Sequence, residues 1–446
     1  MRQPPEILSR PAPPLIYGLE ANPPLHHQLI YGWQWVFFTL GIILVTSAVI
    51  GPGIGLSPPE VVDFGSRVLV VTGLATILQS YFGHGLPIIE GPGVLYWATY
   101  LFTAQHALSA RAVLTDLEGG MLVAGVTVVL FAVSGLARHS VRLFTPALLG
   151  ITLILIGLSF LTGSASRFVG VSPDYPHGNL AHLATVVLVV LTAAFTSLIG
   201  RGLLRTIPIL FTVVLSYLLA ILFGQVDFSI LSEADFLALP QPLTWGWPTF
   251  RPEIAVTYAI VGLLATVNTF ASVEASAAVC GQASSQQRHR AGILFTGIAQ
   301  LLAGLGAAVG TTSFAASTVV VSLSRVAART TVAVAGLMML ILGFIPWFSA
   351  LLFTVPLPIV NGVFLLLSAN LLTLGLDQLA KIQFDTRMRL VVGLSLLAGL
   401  SVTYLPPALF ETIPYGGSFL LSNPIIVGTG LAFFMEHVLF GKWLKN

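Results

Sequence analysis

Residues 31–51, YGWQWVFFTLGIILVTSAVIG, carry no charge. A membrane-spanning helix needs about 20 mostly apolar residues, and such runs recur along the whole chain. We count fourteen. Seven lie near 33–51, 66–83, 87–103, 121–137, 144–163, 180–200 and 206–224. Seven more lie near 254–280, 291–309, 313–328, 330–352, 355–375, 388–405 and 424–441. The third and tenth are short or interrupted. Only 8% of the 446 residues are charged, against about 25% in ordinary soluble domains. Such a chain cannot cover a water-facing surface and reads as an all-α polytopic membrane protein.

Orientation follows the excess of Lys and Arg in cytoplasmic loops. With the N-terminus inside, Arg2, Arg10, Arg138, Arg142, Arg201, Arg205, Arg288, Arg290, Arg325, Arg329, Lys381, Arg387, Arg389, Lys442 and Lys445 all fall on the cytoplasmic side. Only Arg67, Arg111, Arg167 and Arg251 fall outside. Both termini are therefore expected in the cytoplasm of a multi-pass plasma (inner) membrane protein. Residues 1–32 lack a signal peptide's apolar core and read as a short cytoplasmic tail. GPGIG at 51–55 reads as a loop.

The most polar connection, 225–253, splits the spans into seven and seven. An odd number per half sends the second half into the membrane inverted, a recurrent plan of secondary transporters. The two repeats are 33–224 and 254–441, with an extracytoplasmic linker over 225–253 between them. Their first spans start about 221 residues apart. Added to Gly91, that offset falls inside VGTTSFAAST at 309–318. Each place interrupts an apolar span, one with GPG at 91–93 and one with hydroxyls and small residues. Broken backbone at membrane depth survives only where protein buries it or it lines a cavity. Its freed N–H and C=O groups, and the positive end of a following half-helix, can hold a ligand. The breaks are expected to meet as two arms of one central site.

Two carboxylates lie deep in spans by this count, Glu90 and Glu274. Charges at such depth are costly and usually face a cavity. Glu274 fits a proton carrier or a hydrogen-bond acceptor for a facing span, and both readings stay open. Glu90 beside a half-helix N-terminus is favourable without further purpose. The single cysteine, Cys280, excludes an internal disulfide framework and a multi-cysteine metal site. No basic tract points to nucleic acid. No catalytic, phosphate-binding or metal motif appears, so neither an enzyme nor a cofactor is expected.

The stretches IYGWQWVFFTLGIILVTSAVIG, GLPIIEGPGVLYWA, RTIPILFTVVLSYLLAILFGQVDFS, GTTSFAASTVVVSLSRVAART and IPWFSALLFTVPLPIVNGVFLLLSANLLTLGLDQL resemble, in order and spacing, the nucleobase–ascorbate transporters, also called the xanthine/uracil permease family. The resemblance implies short antiparallel strands in the third and tenth spans, with substrate between them. It implies a core domain of spans one to four and eight to eleven, and a gate domain of the rest. It also implies proton or sodium coupling and a homodimer through the gate domain. Family members that carry nucleobases usually have glutamates on the eighth and tenth spans. Here those positions fall on Asn268 and Ala316.

The expected activity is secondary active transport of a small polar solute, plausibly xanthine or uracil, with an anion transporter as the alternative. The expected substrate-binding residues are Glu90, Gly91, Gly93 and Val94 on the third span, and Asn268, Thr269 and Ser272 on the eighth. Phe314, Ala316 and Ser317 complete the set on the tenth, with Glu274 as the proton-coupling candidate.

Overall fold

A computed structural model describes residues 15–105, 109–136, 145–172, 175–200, 207–406, 409–410, 413 and 417–440. Of the orienting charges, Arg2, Arg10, Arg138, Arg142, Arg201, Arg205, Lys442 and Lys445 lie outside the described residues. The first half comprises α1 (Leu25–Gly53), α2 (Pro58–Tyr81), β1 (Glu90–Pro92), α3 (Val94–Gln105), α4 (Ala110–Val133), α5 (Pro146–Phe168), α6 (Leu180–Ile199) and α7 (Pro208–Leu222). The linker contains the short α8 (Ser229–Glu233). The second half comprises α9 (Pro252–Val279), α10 (Gln286–Leu305), β2 (Thr311–Ser313), α11 (Ser317–Ser324), α12 (Arg329–Gly343), α13 (Pro346–Phe353), α14 (Leu357–Leu379), α15 (Thr386–Val402), α16 (Gly417–Leu421) and α17 (Pro424–Phe433). Six described helices are long and apolar enough to cross a membrane, and α12 with α13 forms a further apolar pair bent by 88°.

Local sequence sets several helix starts. Ser57 and Glu60 close a capping box around Pro58 at the head of α2. Thr145 and Asn423 accept first-turn N–H groups of α5 and α17, each just before a proline. Several boundaries differ from the sequence reading, α2 for instance starting at Pro58 rather than 66; three carry consequences. α1 begins at Leu25, inside the stretch read as tail, and residues 16–17 bond to 325–327 through Ile16 N to Arg325 O and Ala327 N to Tyr17 O, both 2.8 Å. Gly51–Gly53 of the supposed loop is helical, and the chain turns only at Ile54 and Gly55. α4 starts at Ala110 rather than 121, because its polar first turns pack under the linker instead of meeting water.

Helices approach most closely where side chains are absent. α2 packs along α12, α4 along α10 and α5 along α14. A Cβ on Gly73 would stand 2.5 Å from the Gly336 carbonyl oxygen, and one on Gly297 would stand 3.1 Å from that of Gly125. Gly150 and Gly375 would each meet the other's carbonyl at 2.9 Å. Small residues permit this contact, which dispersion and close packing then stabilise in lipid.

The linker is fastened over the ends of α2, α4, α10, α12 and α13. Leu243 N donates to Leu305 O at 2.8 Å, Ala238 N to Phe344 O at 3.1 Å, and Trp347 N to Asp235 O at 3.0 Å. Trp245 is buried beneath it, with the Arg67 guanidinium 5.6 Å from its ring and its N–H donated to Glu118. Asp116 accepts from Thr249 Oγ1 and from Arg251. Asp116 and Glu118 are each 1% exposed, so the buried carboxylates number more than the two read from the sequence. The early start of α4 hides them from a hydropathy count.

Candidate functional site

The two interruptions meet. β1 and β2 form an antiparallel pair in the register Glu90 to Ser313, Gly91 to Thr312 and Pro92 to Thr311, all six residues buried. The ladder extends at both ends: Gly93 N donates to Gly310 O at 2.8 Å, and Phe314 N to Ile89 O at 3.1 Å. Ile89 N donates to Ser317 Oγ at 3.2 Å, and Glu90 N to Thr76 Oγ1 at 3.2 Å. Broken backbone at this depth is thus satisfied inside the protein, as the bilayer requires. α3 starts at Val94 and α11 at Ser317, immediately after their strands. The positive ends of both short helices therefore open at the strand pair.

Helix α9 crosses behind the pair. Asn268 and Ser272, one turn apart on one face, both donate to the Ser313 carbonyl, at 2.9 and 3.0 Å. Ser313 Oγ donates to Glu90 Oε1 at 2.5 Å. The other Glu90 oxygen makes no close hydrogen bond among the described residues, although the Thr311 hydroxyl lies beside the carboxyl, and Thr72 Oγ1 and the Gln300 amide make none. Gly91 lies directly beneath the Phe314 ring: a Cβ there would stand 2.2 Å from Cζ. Gly93 faces Thr312, Tyr96 and Gly310 rather than open space.

Of the expected residues, Glu90, Gly91, Gly93, Ser272 and Ser317 are buried within the strand junction, while Val94, Asn268 and Phe314 are half-buried at its margin. Ala316 is exposed at the head of α11. Thr269 points elsewhere, its hydroxyl bonded to that of Thr296 on α10 at 2.9 Å. Thr296 in turn accepts from Gln79 at 3.2 Å. Glu274 is not deep. Its side chain is 47% exposed, near the end of α9, where it accepts from Ser284 Oγ and pairs with His289 Nε2, both at 2.8 Å. Its six-residue offset from Asn268 carries it about 9 Å along the helix.

Sequence reasoning missed Thr76 and Gln79. Their signal was a polar stripe, Thr72, Thr76 and Gln79, at helical spacing along an otherwise apolar α2. In the turn before β1, His84 Nδ1 accepts from Leu86 N at 3.0 Å. Burial, with the Arg288 guanidinium nearby, pushes the His84 imidazole down to about 3.

A family model described as "Permease family" matches residues 26–408, most of the chain. The chain belongs to the xanthine/uracil permease family. It is similar to the uric acid permease PucK of Bacillus subtilis, 28% identical over 404 residues, covering 87% of this chain and 90% of that protein. It is also similar to the xanthine permease XanQ of Escherichia coli K12, 25% identical over 448 residues, covering 97% and 95%. These are permeases, so the chain is a multi-pass membrane transporter and not an enzyme. Among solved structures, the transmembrane domain of the cyanobacterial bicarbonate transporter BicA superposes with a TM-score of 0.64 at 14% identity, covering 92% of this chain and 97% of that one. The murine Solute Carrier 26 family member A9 anion transporter superposes at 0.67 and 12% identity, covering 95% and 69%. At these identities the likeness is one of fold.

Proposed function

We propose that this permease is a secondary active transporter of a nucleobase such as xanthine, urate or uracil, working by alternating access with protons or sodium. The observation that carries the reading is the β1–β2 pair, which brings two helix N-termini, an aromatic ring and the amide of Asn268 to one margin. A planar base with N–H and C=O edges matches that mixture of apolar face and polar rim. The permease names of its relatives support the same solute class. Glu90, Gly91, Gly93, Val94, Asn268, Ser272, Phe314, Ala316 and Ser317 form the site in this proposal, and Thr269 supports it from behind through Thr296.

The chain would cross the membrane fourteen times in two inverted repeats, with both termini cytoplasmic in the plasma membrane. The helix contacts support this. The α2–α12 contact corresponds under the repeat to α10–α4, each with glycine against backbone, and α5–α14 corresponds to itself. The core domain would comprise α1–α4 and α9–α13, and the gate domain α5–α7 and α14–α17, with dimerisation through the gate. Glu274 is the coupling group expected from the sequence, but Glu90 suits that role better: it is fully buried at the strands, held by Ser313 Oγ on one oxygen. Glu274 is half-exposed and already paired with His289.

Purified protein in proteoliposomes, given radiolabelled xanthine, urate or uracil under an imposed proton or sodium gradient, tests the reading. Accumulation of one of them is expected, and its loss in Glu90→Gln identifies the coupling group. No accumulation of any, under either gradient, refutes it. A second reading, anion transport, is favoured by the absence of a carboxylate at Asn268 and Ala316 beside two helix N-termini. Gradient-independent exchange of bicarbonate, chloride or sulfate, unaffected by Glu274→Gln, would select it.

A further inference from the structure

A cavity of about 470 Å³ lies on the seam between α1 and α3 on one side and α5, α15 and α17 on the other. It follows α3 from Ala98, one turn past the strand pair, to Gln105 at the helix end. Seven residues of helix make this about 10 Å. Phe102 and Phe160 wall it with rings, and its polar lining includes Gln105, Arg167 and Asn423. All these elements meet at their extracytoplasmic ends in the proposed orientation.

The chemistry of that lining is one-sided. Arg167 is half-buried at the end of α5, has no ion-pair partner among the described residues, and reaches toward α1, its Nη2 3.9 Å from the Cβ position of Gly53. Asn423 is only 2% exposed. Its Oδ1 is engaged by Ile425 N at 3.0 Å and Ile426 N at 3.2 Å, which turns its NH₂ away from the helix start. Asn423 borders the cavity, and the hydrogen bonds its side chain makes to described residues both go to Oδ1. Guanidinium and amide are both donors, and a guanidinium never accepts. A half-buried cation with no counter-charge among the described residues suits an anionic or strongly electron-rich partner. The aromatic walls call for a flat one. The volume falls within the usual range for small-molecule sites, about 300–1,000 Å³.

We propose that this cavity is an outer binding station for the anionic form of an oxidised heterocyclic base, held by Arg167 and the Asn423 amide on its way to the strand pair. The inference rests on the nucleobase reading for the solute's identity, not for its charge. Because the cavity joins elements of both bundles, an occupant bridges them.

Urate, an anion near neutral pH, is the probe, and uncharged uracil is its control. Binding and uptake are measured with wild type, Arg167→Gln and Asn423→Asp. The aspartate keeps the helix-capping oxygen and exchanges the amide donor for an acceptor. Each variant is expected to unfold at the wild-type temperature and to bind urate about tenfold more weakly, a loss of about 1.4 kcal/mol. Uracil handling stays within about twofold. Unchanged urate binding in both variants, equal losses for urate and uracil, or no urate binding by wild type overturns the proposal. So does a dependence on Arg167 that appears only in phosphatidylglycerol and vanishes in phosphatidylcholine, since Arg167 would then serve lipid phosphate. Arg167-dependent urate binding without any flux keeps the station and refutes transport. Base flux with urate binding indifferent to Arg167 does the reverse.

Discussion

Gly91→Ala separates the strand pair's shape from its chemistry. The added Cβ would stand 2.2 Å from Phe314 Cζ and 2.4 Å from Cε2. Non-bonded carbons rest about 3.5 Å apart, so the ring must retreat by about 1.3 Å. The strand cannot retreat instead, because it is buried and hydrogen-bonded to β2, α2 and α11. Phe314 is half-buried and has room to turn. Stacking of a base on an aromatic ring is worth about 1–3 kcal/mol. Losing it weakens binding by about 5- to 150-fold. Phe314→Ala should lose the same amount. In the double variant nothing remains to clash, so its loss should equal that of Phe314→Ala alone. Equilibrium binding of radiolabelled base to purified protein, with thermal unfolding to verify folding, measures all four corners of the cycle. Strictly additive losses, or wild-type affinity in folded Gly91→Ala, would refute a stacking role for Phe314.

Four further outcomes follow from the packing. His84 is held neutral by burial, so between about pH 3 and 6.5 the unfolded chain binds one more proton than the folded one, and stability falls as pH drops through that window. His84→Gln should remove about 2 kcal/mol of the loss between roughly pH 6 and pH 4, and identical acid-unfolding curves would reject this. Gly73→Ala drives a methyl to 2.5 Å from Gly336 O and 2.7 Å from Leu340 N, both backbone; overpacking of this kind costs about 1–3 kcal/mol. Gly393→Ala, with nothing within 4 Å, should leave the unfolding temperature at or above wild type. Asp116→Ala removes one acceptor from Thr249 and one from Arg251, which keeps its pair with Glu253 at 2.6 Å, and faster tryptic cleavage at Arg251 is the expected readout, with an unchanged rate counting against the linker clamp.

The mostly helical, apolar character of the chain, the two breaks and their meeting were legible because each rests on a local property. Apolar run length, GPG at 91–93 and the hydroxyl-rich run at 311–318 all sit in short windows. What was illegible depends on partners distant in the chain. Glu274 reads as deep although its span, 254–280, is placed almost where the helix runs, Pro252–Val279; lying only five residues before the helix end, it sits at the rim beside His289. The polar start of α4 is helical because the linker covers it, and no window of sequence contains both. Thr269 and Asn268 are neighbours in sequence yet serve different contacts, since 100° of helix rotation turns one toward α10 and the other toward β2. The seam cavity draws its donors from Gln105, Arg167 and Asn423, hundreds of residues apart at the extremes.

Apart from Gln225 N, which donates to Ala220 O at the end of α7 at 2.9 Å, the hydrogen bonds described for the linker toward other helices run to α4, α10, α12 and α13. Whatever shift one bundle makes past the other, this strap rides with its own side like a lid glued to a box. The slack is left to the few residues between Leu222 and Ser229, where Gly224 already takes a φ of +67° open to few other residues. That stretch, with the three residues between Phe353 and Leu357, is among the described places where the chain must give if the proposed core and gate bundles move past one another.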